Sequence, residues 1–241
     1  MLATRWAAVD AALAHAPSVC AICRGWGRGR VCAACLDRFA THTTRCARCA
    51  LALAPSATVC GSCLREPPPF DAALAAVDYA APWDRLVTAF KFHDAIDLAR
   101  PFARAIAVAE RARGAPRPSL VVPVPLAPTR LRTRGYNQAW EIARRVARML
   151  GIDADASLVL RLRETVHQLA LPPLARAGNV AGAFAVEPRR RSELAGRTVA
   201  IVDDVMTTAS TAAEVARTLK QAGASRVEVW VLARTPRPED A

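Results

Sequence analysis

The 241-residue chain can form one large domain or two smaller ones, and 53% of its residues are hydrophobic, which is ample for a packed core. Its formal net charge of +12 comes almost entirely from arginine and suits anionic partners such as nucleic acid or phosphates. No run of 18 apolar residues is present, so no membrane span is expected, and the few, scattered aromatic residues do not indicate a base-stacking platform.

Residues 1–17 have the pattern of an amphipathic helix. Leu2, Trp6, Val9 and Leu13 fall at helical spacing, and Asp10 interrupts the apolar run that a signal peptide would need. We therefore expect a helix packed on a neighbouring element, in a cytoplasmic protein.

Eight cysteines lie between residues 20 and 63, in four Cys-x-x-Cys pairs: Cys20/Cys23, Cys32/Cys35, Cys46/Cys49 and Cys60/Cys63. Each pair forms a knuckle with both sulfurs on one side, and two knuckles complete a tetrahedral Zn(Cys)₄ site. The spacing predicts two structural zinc sites in a double zinc ribbon. Disulfides conflict with a cytoplasmic location, and a redox Cys-x-x-Cys usually occurs singly. Sequential pairing closes the shortest loops and is preferred, while a cross-braced arrangement stays open.

The cysteine-rich segment is also basic. Solvation explains such charges by default, and contact with nucleic acid is the sharper alternative. His42 is expected to be a bystander, because thiolates already fill both tetrahedra. The arginines are Arg24, Arg28, Arg30, Arg38, Arg45 and Arg48.

The Pro-Pro-Pro run at 67–69 is a stiff break, and we place a domain boundary there, between residues 1–66 and 67–241. Beyond it, strand and helix patterns alternate, which predicts an α/β fold with a mostly parallel sheet and helices on both faces. Strands are expected at 74–79, 120–125, 158–160, 184–186, 199–202 and 227–232. Helices are expected at 84–92, at 96–111, from after Gln138 to about Leu150, at 174–180 and at 211–222.

Two stretches between these elements hold further candidate side chains. Arg130, Arg132 and Arg134 are expected on a loop after a strand's carboxyl end, where ligands gather in open α/β sheets, although a solvated loop is the plainer alternative. A polar, mobile loop is expected at 161–173. It contains His167, a tempting general base, but a lone loop histidine is more often merely exposed.

The stretch 198–211 carries the strongest functional pattern. An apolar strand is expected to end at Asp203-Asp204, and the hydroxyl-rich loop Thr207-Thr208-Ala209-Ser210-Thr211 leads into a helix. Backbone N–H groups and the positive end of the helix dipole can hold a phosphate, while the carboxylates accept hydrogen bonds from ribose hydroxyls or bind Mg²⁺. Taken separately, each part could be ordinary turn or helix-cap chemistry.

In this order the stretch resembles the phosphoribosyl-pyrophosphate (PRPP) signature of type I phosphoribosyltransferases, Asp-Asp-Val-x-Thr-Thr-Gly-x-Thr. Ala209 stands where the signature has glycine. A methyl group costs about 1 kcal/mol or more where the backbone must approach a phosphate or adopt a left-handed conformation.

Across essentially the whole chain, the motifs resemble the competence protein ComF family. They are the four cysteine pairs, Lys91-Phe92, Pro123-Val124-Pro125-Leu126, Arg134-Gly135-Tyr136-Asn137-Gln138-Ala139, Thr165-x-x-Gln168, Arg176-x-x-Asn179-Val180, the Phe184 segment and the Asp-Asp stretch. The resemblance implies a type I phosphoribosyltransferase fold fused to a zinc module, and a role in the uptake of transforming DNA as single strands into the bacterial cytoplasm.

We expect PRPP to bind at the carboxyl ends of the strands. The loop 207–211 holds the 5-phosphate in this hypothesis, and Asp203 and Asp204 hold the ribose hydroxyls. Pro123 and Val124, with Arg134 and Lys91, face the pyrophosphate and its Mg²⁺. Asp203, Asp204 and Arg134 are then the candidate catalytic residues for a phosphoribosyltransferase that releases pyrophosphate to an unknown acceptor.

A binding module is the competing hypothesis, because no residue stands out as a general base. In it, the fold senses PRPP or a nucleotide, while the basic zinc ribbon and arginine-rich surface bind single-stranded DNA or a helicase-like partner.

Overall fold

The computed structural model describes residues 17–41, 43–163 and 180–236. Several expectations lie outside these ranges: the N-terminal helix, His42, most of the loop at 161–173 with Thr165, His167 and Gln168, all but the last residue of the helix at 174–180, and Arg176 and Asn179.

The cysteine-rich segment contains short elements around its knuckles. These are β1 (Pro17–Val19), β2 (Trp26–Arg28), α1 (Ala33–Phe39) and α2 (Gly61–Arg65), with β1 and β2 antiparallel. Cys32 and Cys60 are the N-cap residues of α1 and α2, so each helix starts directly after a cysteine.

Strands and helices alternate over the rest of the described chain, as the sequence patterns predict, with shifted ends and with β5 and α5 in addition. The elements are β3 (Ala72–Asp78), α3 (Trp83–Phe92), a 3₁₀ turn (Ile96–Leu98), α4 (Ala99–Arg113), β4 (Leu120–Pro123), α5 (Pro128–Arg134), α6 (Gln138–Leu150), β5 (Asp153–Ala154), β6 (Val159–Arg161), β7 (Phe184–Val186), a 3₁₀ segment (Pro188–Leu194), β8 (Thr198–Met206), α7 (Ser210–Gln221) and β9 (Arg226–Arg234).

A five-stranded parallel sheet in the order β3-β9-β8-β4-β5 forms the centre of the fold, and β6 pairs with β7 in a separate antiparallel ribbon. Successive side chains of each strand point to opposite faces of the five-stranded sheet. Val202 and Trp230 pack with Phe102 and Ile142 from α4 and α6, whereas Ile201 and its neighbours on the other face pack with α7. The predicted parallel sheet with helices on both faces is confirmed.

The cysteine-rich segment packs directly on this α/β unit at two places. Cys20 and Leu36 share an apolar cluster with Trp83, whose indole Nε1 donates to the Phe39 carbonyl at 2.7 Å. Further along, the amide of Ala73 on β3 donates to the Ala47 carbonyl at 3.1 Å. The two halves of the segment therefore contact different parts of the sheet and its helices.

Two predictions about the site region are wrong in detail. The strand does not end at the acidic pair, because β8 continues to Met206 and stays paired with β9 as far as Arg234. The stretch with Arg130, Arg132 and Arg134 is the helix α5 rather than a loop. Proline in its first turn and left-handed Gly135 (φ 77°) at its end supply helix start and stop signals that outweigh the run of charges.

Over 17–41, 43–163 and 180–236, no helix combines the length and the apolar character that a membrane span requires.

Candidate functional site

A three-residue turn joins β8 to α7 and presents hydroxyl groups at the edge of the sheet. Thr207 and Thr208 are exposed, and the Thr208 and Ser210 hydroxyl oxygens are 2.9 Å apart. The N-cap of α7 is Ala209, which has no side-chain acceptor for the first-turn amides. Ala209 therefore does not cap the first-turn amides of this 12-residue helix. Helix N-termini carry a partial positive charge and bind anions.

Ala209 adopts the left-handed conformation that favours glycine, with φ 64° and ψ 4°. Because α7 starts at the next residue, this conformation turns the chain from the strand into the helix. Ala209 therefore carries the conformational penalty anticipated from its difference from the glycine of the signature.

The acidic pair lies in β8, just before this turn. Asp204 is 3% exposed, and its Oδ1 pairs with the Nζ of Lys91 at 2.9 Å. Its buried Oδ2 accepts no hydrogen bond from the part of the chain that the structure describes. Asp203 is half-buried, and its Oδ1 accepts from the amide of Asp204 at 2.8 Å. The pair thus offers an unsatisfied carboxylate oxygen close to a cation.

The charged side chains around the acidic pair shift one another's pKa values. Burial, together with the charge of Asp204, raises the pKa of Asp203 to about 7, although Lys91 opposes this shift. Burial alone would lower the pKa of Lys91, but Asp204 and Asp203 raise it above its usual value. Lys91 is therefore a cation at neutral pH, while Asp203 exchanges a proton in that range.

The end of β4 lies beside the acidic pair. Pro123 pairs with Val202, and the Val124 amide donates to the Val202 carbonyl at 2.9 Å. Asn137 fixes this turn, since its Nδ2 donates to the Val124 carbonyl at 3.1 Å while its Oδ1 caps α6. Arg161 approaches from β6 and donates to the Pro125 carbonyl at 3.4 Å. The structure thus brings Pro123 and Val124 next to Asp203.

Arg134 lies at the edge of this group rather than in it. Its guanidinium is 5.4 Å from the centroid of the Phe92 ring, one residue beyond Lys91. Its Nη1 is buried without a hydrogen bond, and Arg134 forms no ion pair within the described ranges. The structure therefore brings Lys91, Val124 and the acidic pair together and leaves Arg134 beside them with an unused donor.

The eight cysteines form two clusters, Cys20/Cys23/Cys32/Cys35 and Cys46/Cys49/Cys60/Cys63, and in each the four Sγ atoms lie within 4.8 Å of one another. The Cys23–Cys32 and Cys49–Cys60 Sγ distances are 3.8 and 3.6 Å. A tetrahedron of about 2.3 Å Zn–S bonds has edges of about 3.8 Å. Both clusters can therefore hold zinc, and the preferred sequential grouping agrees with them.

Backbone amides donate hydrogen bonds to the sulfurs, an arrangement that stabilises thiolate ligands. The amides of Ile22 and Cys32 donate to the Cys20 Sγ at 3.4 Å, and the Cys60 amide donates to the Cys46 Sγ at 3.3 Å. Burial raises the pKa of the Cys20 thiol, but hydrogen bonds led by that of Cys32 outweigh it and lower the pKa to about 6. The first cluster includes the exposed Cys23, whereas all four cysteines of the second are buried.

Two residues with distinctive surroundings have no role in the sequence interpretation. Trp26 on β2 is 80% exposed and lies between Arg24 and Arg28 in the sequence. Arg234, at the end of β9, is 6% exposed and hydrogen-bonds to both the second cluster and the turn between β8 and α7. The only sequence feature that marks Arg234 is its position at the end of an apolar strand. Its partners could not be predicted, because they are distant in sequence.

The left-handed Ala209 gives a stability prediction. Ala209→Gly is expected to raise the free energy of unfolding by about 0.5–1 kcal/mol, because relief of the left-handed penalty exceeds the extra entropy of the unfolded chain. Ala213→Gly, within α7, is the matched control and should lower it by about 1 kcal/mol. Urea unfolding without ligand measures both. A loss of stability in Ala209→Gly would contradict the strain at this position.

The family-model comparison agrees with the fold. A family model described as the phosphoribosyl transferase domain matches residues 139–241. Among solved structures, the glutamine PRPP amidotransferase from B. subtilis complexed with ADP and GMP has a TM-score of 0.37 and 19% identity, over 55% of this chain and 25% of that chain. A likeness at that level supports no argument about fold or function.

Curated relatives match nearly the whole chain. The DNA utilization protein YhgH of Escherichia coli (strain K12) is 35% identical over 226 residues, 91% of this chain and 98% of that protein. Competence protein F of Haemophilus influenzae is 32% identical over 222 residues, 89% of this chain and 96% of that protein. The chain therefore belongs to the ComF family of competence and DNA-utilization proteins.

Proposed function

We propose that this protein binds PRPP with Mg²⁺ at the carboxyl ends of β4 and β8, and that it acts in the uptake or processing of transforming single-stranded DNA. The observation that carries the PRPP proposal is the start of α7 after Ala209, which follows the end of β8 and its acidic pair with an unsatisfied buried oxygen. The names of its relatives support the role in DNA utilization.

The 5-phosphate is assigned to residues 207–211. Exposed hydroxyls of Thr207 and Thr208 add donors to the amides at the start of α7, and the helix dipole favours negative charge there. A ribose next to this phosphate reaches the acidic pair, whose carboxylates accept hydrogen bonds from its hydroxyls.

The pyrophosphate is assigned to the side of β4. Val124 presents a turn held by Asn137, and Lys91, Arg134 and Arg161 supply positive charge around it. Carboxylate oxygens of the acidic pair suit Mg²⁺, which would neutralise charge on the leaving pyrophosphate. Lys91 must exchange part of its contact with Asp204 for the ligand.

An enzyme and a sensor are both compatible with PRPP binding. In the enzyme, positive charge builds on the ribose as pyrophosphate leaves, and the acidic pair stabilises it. The pKa of Asp203, about 7, also provides a group that can accept a proton near neutral pH. In the sensor, the same contacts bind PRPP or a nucleotide without transfer to an acceptor, and binding is signalled to DNA or to a helicase-like partner.

The cysteine clusters are assigned two structural zinc ions, and the first is assigned a nucleic-acid contact. Trp26 is 80% exposed, and Arg24 and Arg28 beside it are exposed too. An exposed aromatic ring flanked by cations is the combination on which single-stranded bases stack.

Titration calorimetry with PRPP and Mg²⁺ tests the pocket. The wild-type protein should bind, and the double variant Asp203→Ala/Asp204→Ala should show no binding, because ribose and cation lose their acceptors. Asp153→Ala is the control, because the Asp153 side chain is 84% exposed and its backbone pairs with Leu120, at the opposite end of β4. Equal affinity of wild type and double variant would overturn the site assignment.

The same samples separate enzyme from sensor. Pyrophosphate release from PRPP in the presence of a panel of bases and nucleotides supports the enzyme, and PRPP binding without release under any acceptor supports the sensor.

Metal analysis of freshly purified protein should find two zinc ions per chain. Removing them with a chelator should make residues 17–66 sensitive to proteolysis, because a segment with few large apolar residues depends on its metal for folding. Cys23→Ser, which alters only the first cluster, should retain the zinc of the second. Fewer than two ions in the wild type would count against the double zinc ribbon.

Single-stranded oligonucleotide binding at low salt tests the hairpin surface. Trp26→Ala should weaken binding about 5- to 150-fold, the range of one stacked base, while Trp26→Phe retains most of the affinity. Leu64→Ala is the control, since Leu64 is 72% exposed on the second half of the segment. Binding should fall steeply with salt. Equal affinities of Trp26→Ala and wild type would remove Trp26 from the interface.

A further inference from the structure

One buried side chain connects the second cysteine cluster to residues 207–211, called the phosphate loop after the ligand group proposed to bind there. Arg234 is 6% exposed at the end of β9. Its Nε donates to the Cys49 carbonyl at 3.0 Å, and its Nη1 donates to the carbonyls of Met206 at 2.9 Å and Thr207 at 2.5 Å. A guanidinium is a planar fork, so these bonds fix the relative positions of the two segments that it joins.

On the cluster side, the contact is made by the backbone of a candidate metal ligand. Ala50 follows Cys49 in a left-handed conformation (φ 57°), and its amide donates to the Cys46 carbonyl at 2.8 Å. Ala50 is fully buried in the same apolar cluster as Met206, and Ala209 packs against that cluster. Any shift of this knuckle therefore moves the carbonyl that Arg234 holds and the apolar contacts under the turn.

On the loop side, the contact orients amides. A trans peptide is planar, so its N–H points away from its carbonyl. Because the Thr207 carbonyl faces Arg234, the Thr208 amide points in the opposite direction, away from the cysteine segment. The cation also polarises this peptide and strengthens its N–H as a donor. Arg234 thus sets the direction of a group assigned to the phosphate.

We infer that Arg234 is a positioning residue that couples the second cysteine cluster to the phosphate loop, so that metal in this cluster and a phosphate on the loop strengthen each other's binding. This inference rests on the proposed PRPP site. Coupling between two sites is reciprocal. The metal should hold the knuckle, and through it Arg234, in the position that suits the ligand, while bound ligand should slow the opening of the cluster.

The two clusters differ in this respect. The first packs against α3 and α4 through Cys20 and Leu36, and it anchors α1 to Trp83. The second contacts Arg234 through Cys49. A comparison of the clusters within one molecule therefore contains its own control.

The experiment uses the zinc-loaded full chain and follows zinc release to a chromogenic chelator with and without saturating Mg²⁺-PRPP. In the wild type, PRPP should slow release from the second cluster about 5- to 150-fold, the usual range of coupling between sites, and leave the first unchanged. Cys23→Ser assigns the phases, since its remaining intact cluster is the second. The wild-type measurement stands even if a variant fails to fold.

Arg234→Met should weaken PRPP binding about tenfold or more and remove the protection, while two zinc ions still bind. Arg234→Lys keeps the charge without the fork and should fall between the two. Arg111→Met is the control, because Arg111 donates to the Met149 carbonyl at 2.7 Å and so connects α4 to α6 instead of the knuckle to the loop. Its PRPP affinity should stay within about twofold of wild type.

The outcomes separate this inference from the proposed function. If PRPP binds but does not slow zinc release from the second cluster more than from the first, the inference is overturned and the PRPP site stays in place. The same follows if Arg234→Met leaves PRPP affinity unchanged. A wild-type protein that binds no PRPP overturns the proposed function and the inference together.

Discussion

The parallel pairing of β8 with both neighbours is the constraint on which the candidate site depends. Val202 pairs with Pro123 on one side, and Asp203 and Met206 pair with Val231 and Arg234 on the other. Parallel strands end at the same edge of a sheet, so this register gathers the β4 turn, the acidic pair and Arg234 at one edge. A one-residue shift of β8 would turn the acidic side chains to the opposite faces.

Electrostatic balance then determines what this edge can bind. Two adjacent carboxylates in a partly buried strand repel one another, and Lys91 compensates for only part of that charge. The remaining demand for positive charge suits a divalent cation, and the helix start a few residues later suits an anion. A ligand that combines phosphate groups with a metal ion satisfies both demands at once, whereas a plain nucleoside satisfies neither.

Local patterns were sufficient to predict much of the molecule. Cysteine spacing predicted both clusters, because a Cys-x-x-Cys knuckle is built from consecutive residues. Apolar runs predicted the parallel sheet. The glycine that Ala209 replaces in the family signature left two reasons for a cost open, close approach to a phosphate or a left-handed backbone, and the structure shows the left-handed backbone. The helix α5 was missed although Pro128 and Gly135 mark its ends, because a segment with so many arginines was interpreted as a loop.

Contacts between distant segments could not be predicted in this way. Arg234 and Cys49 are 185 positions apart, and only the folded sheet brings them together. The exposure of Trp26 is similar, since a tryptophan in a short strand is buried or open according to what packs over it. Lys91 was expected near the pyrophosphate, and only the structure reveals its ion pair with Asp204.

The unequal burial of the two cysteine clusters has a consequence for how the molecule would deteriorate. Cys23 is open to solvent, so an oxidant or a competing thiol reaches the first cluster before the second, whose four sulfurs are all covered. Damage would therefore begin in the hairpin that carries Trp26, on the side of α3 and α4. The edge of the sheet with the acidic pair would outlast that hairpin, so the surface assigned to nucleic acid would be the first to fail under oxidative stress.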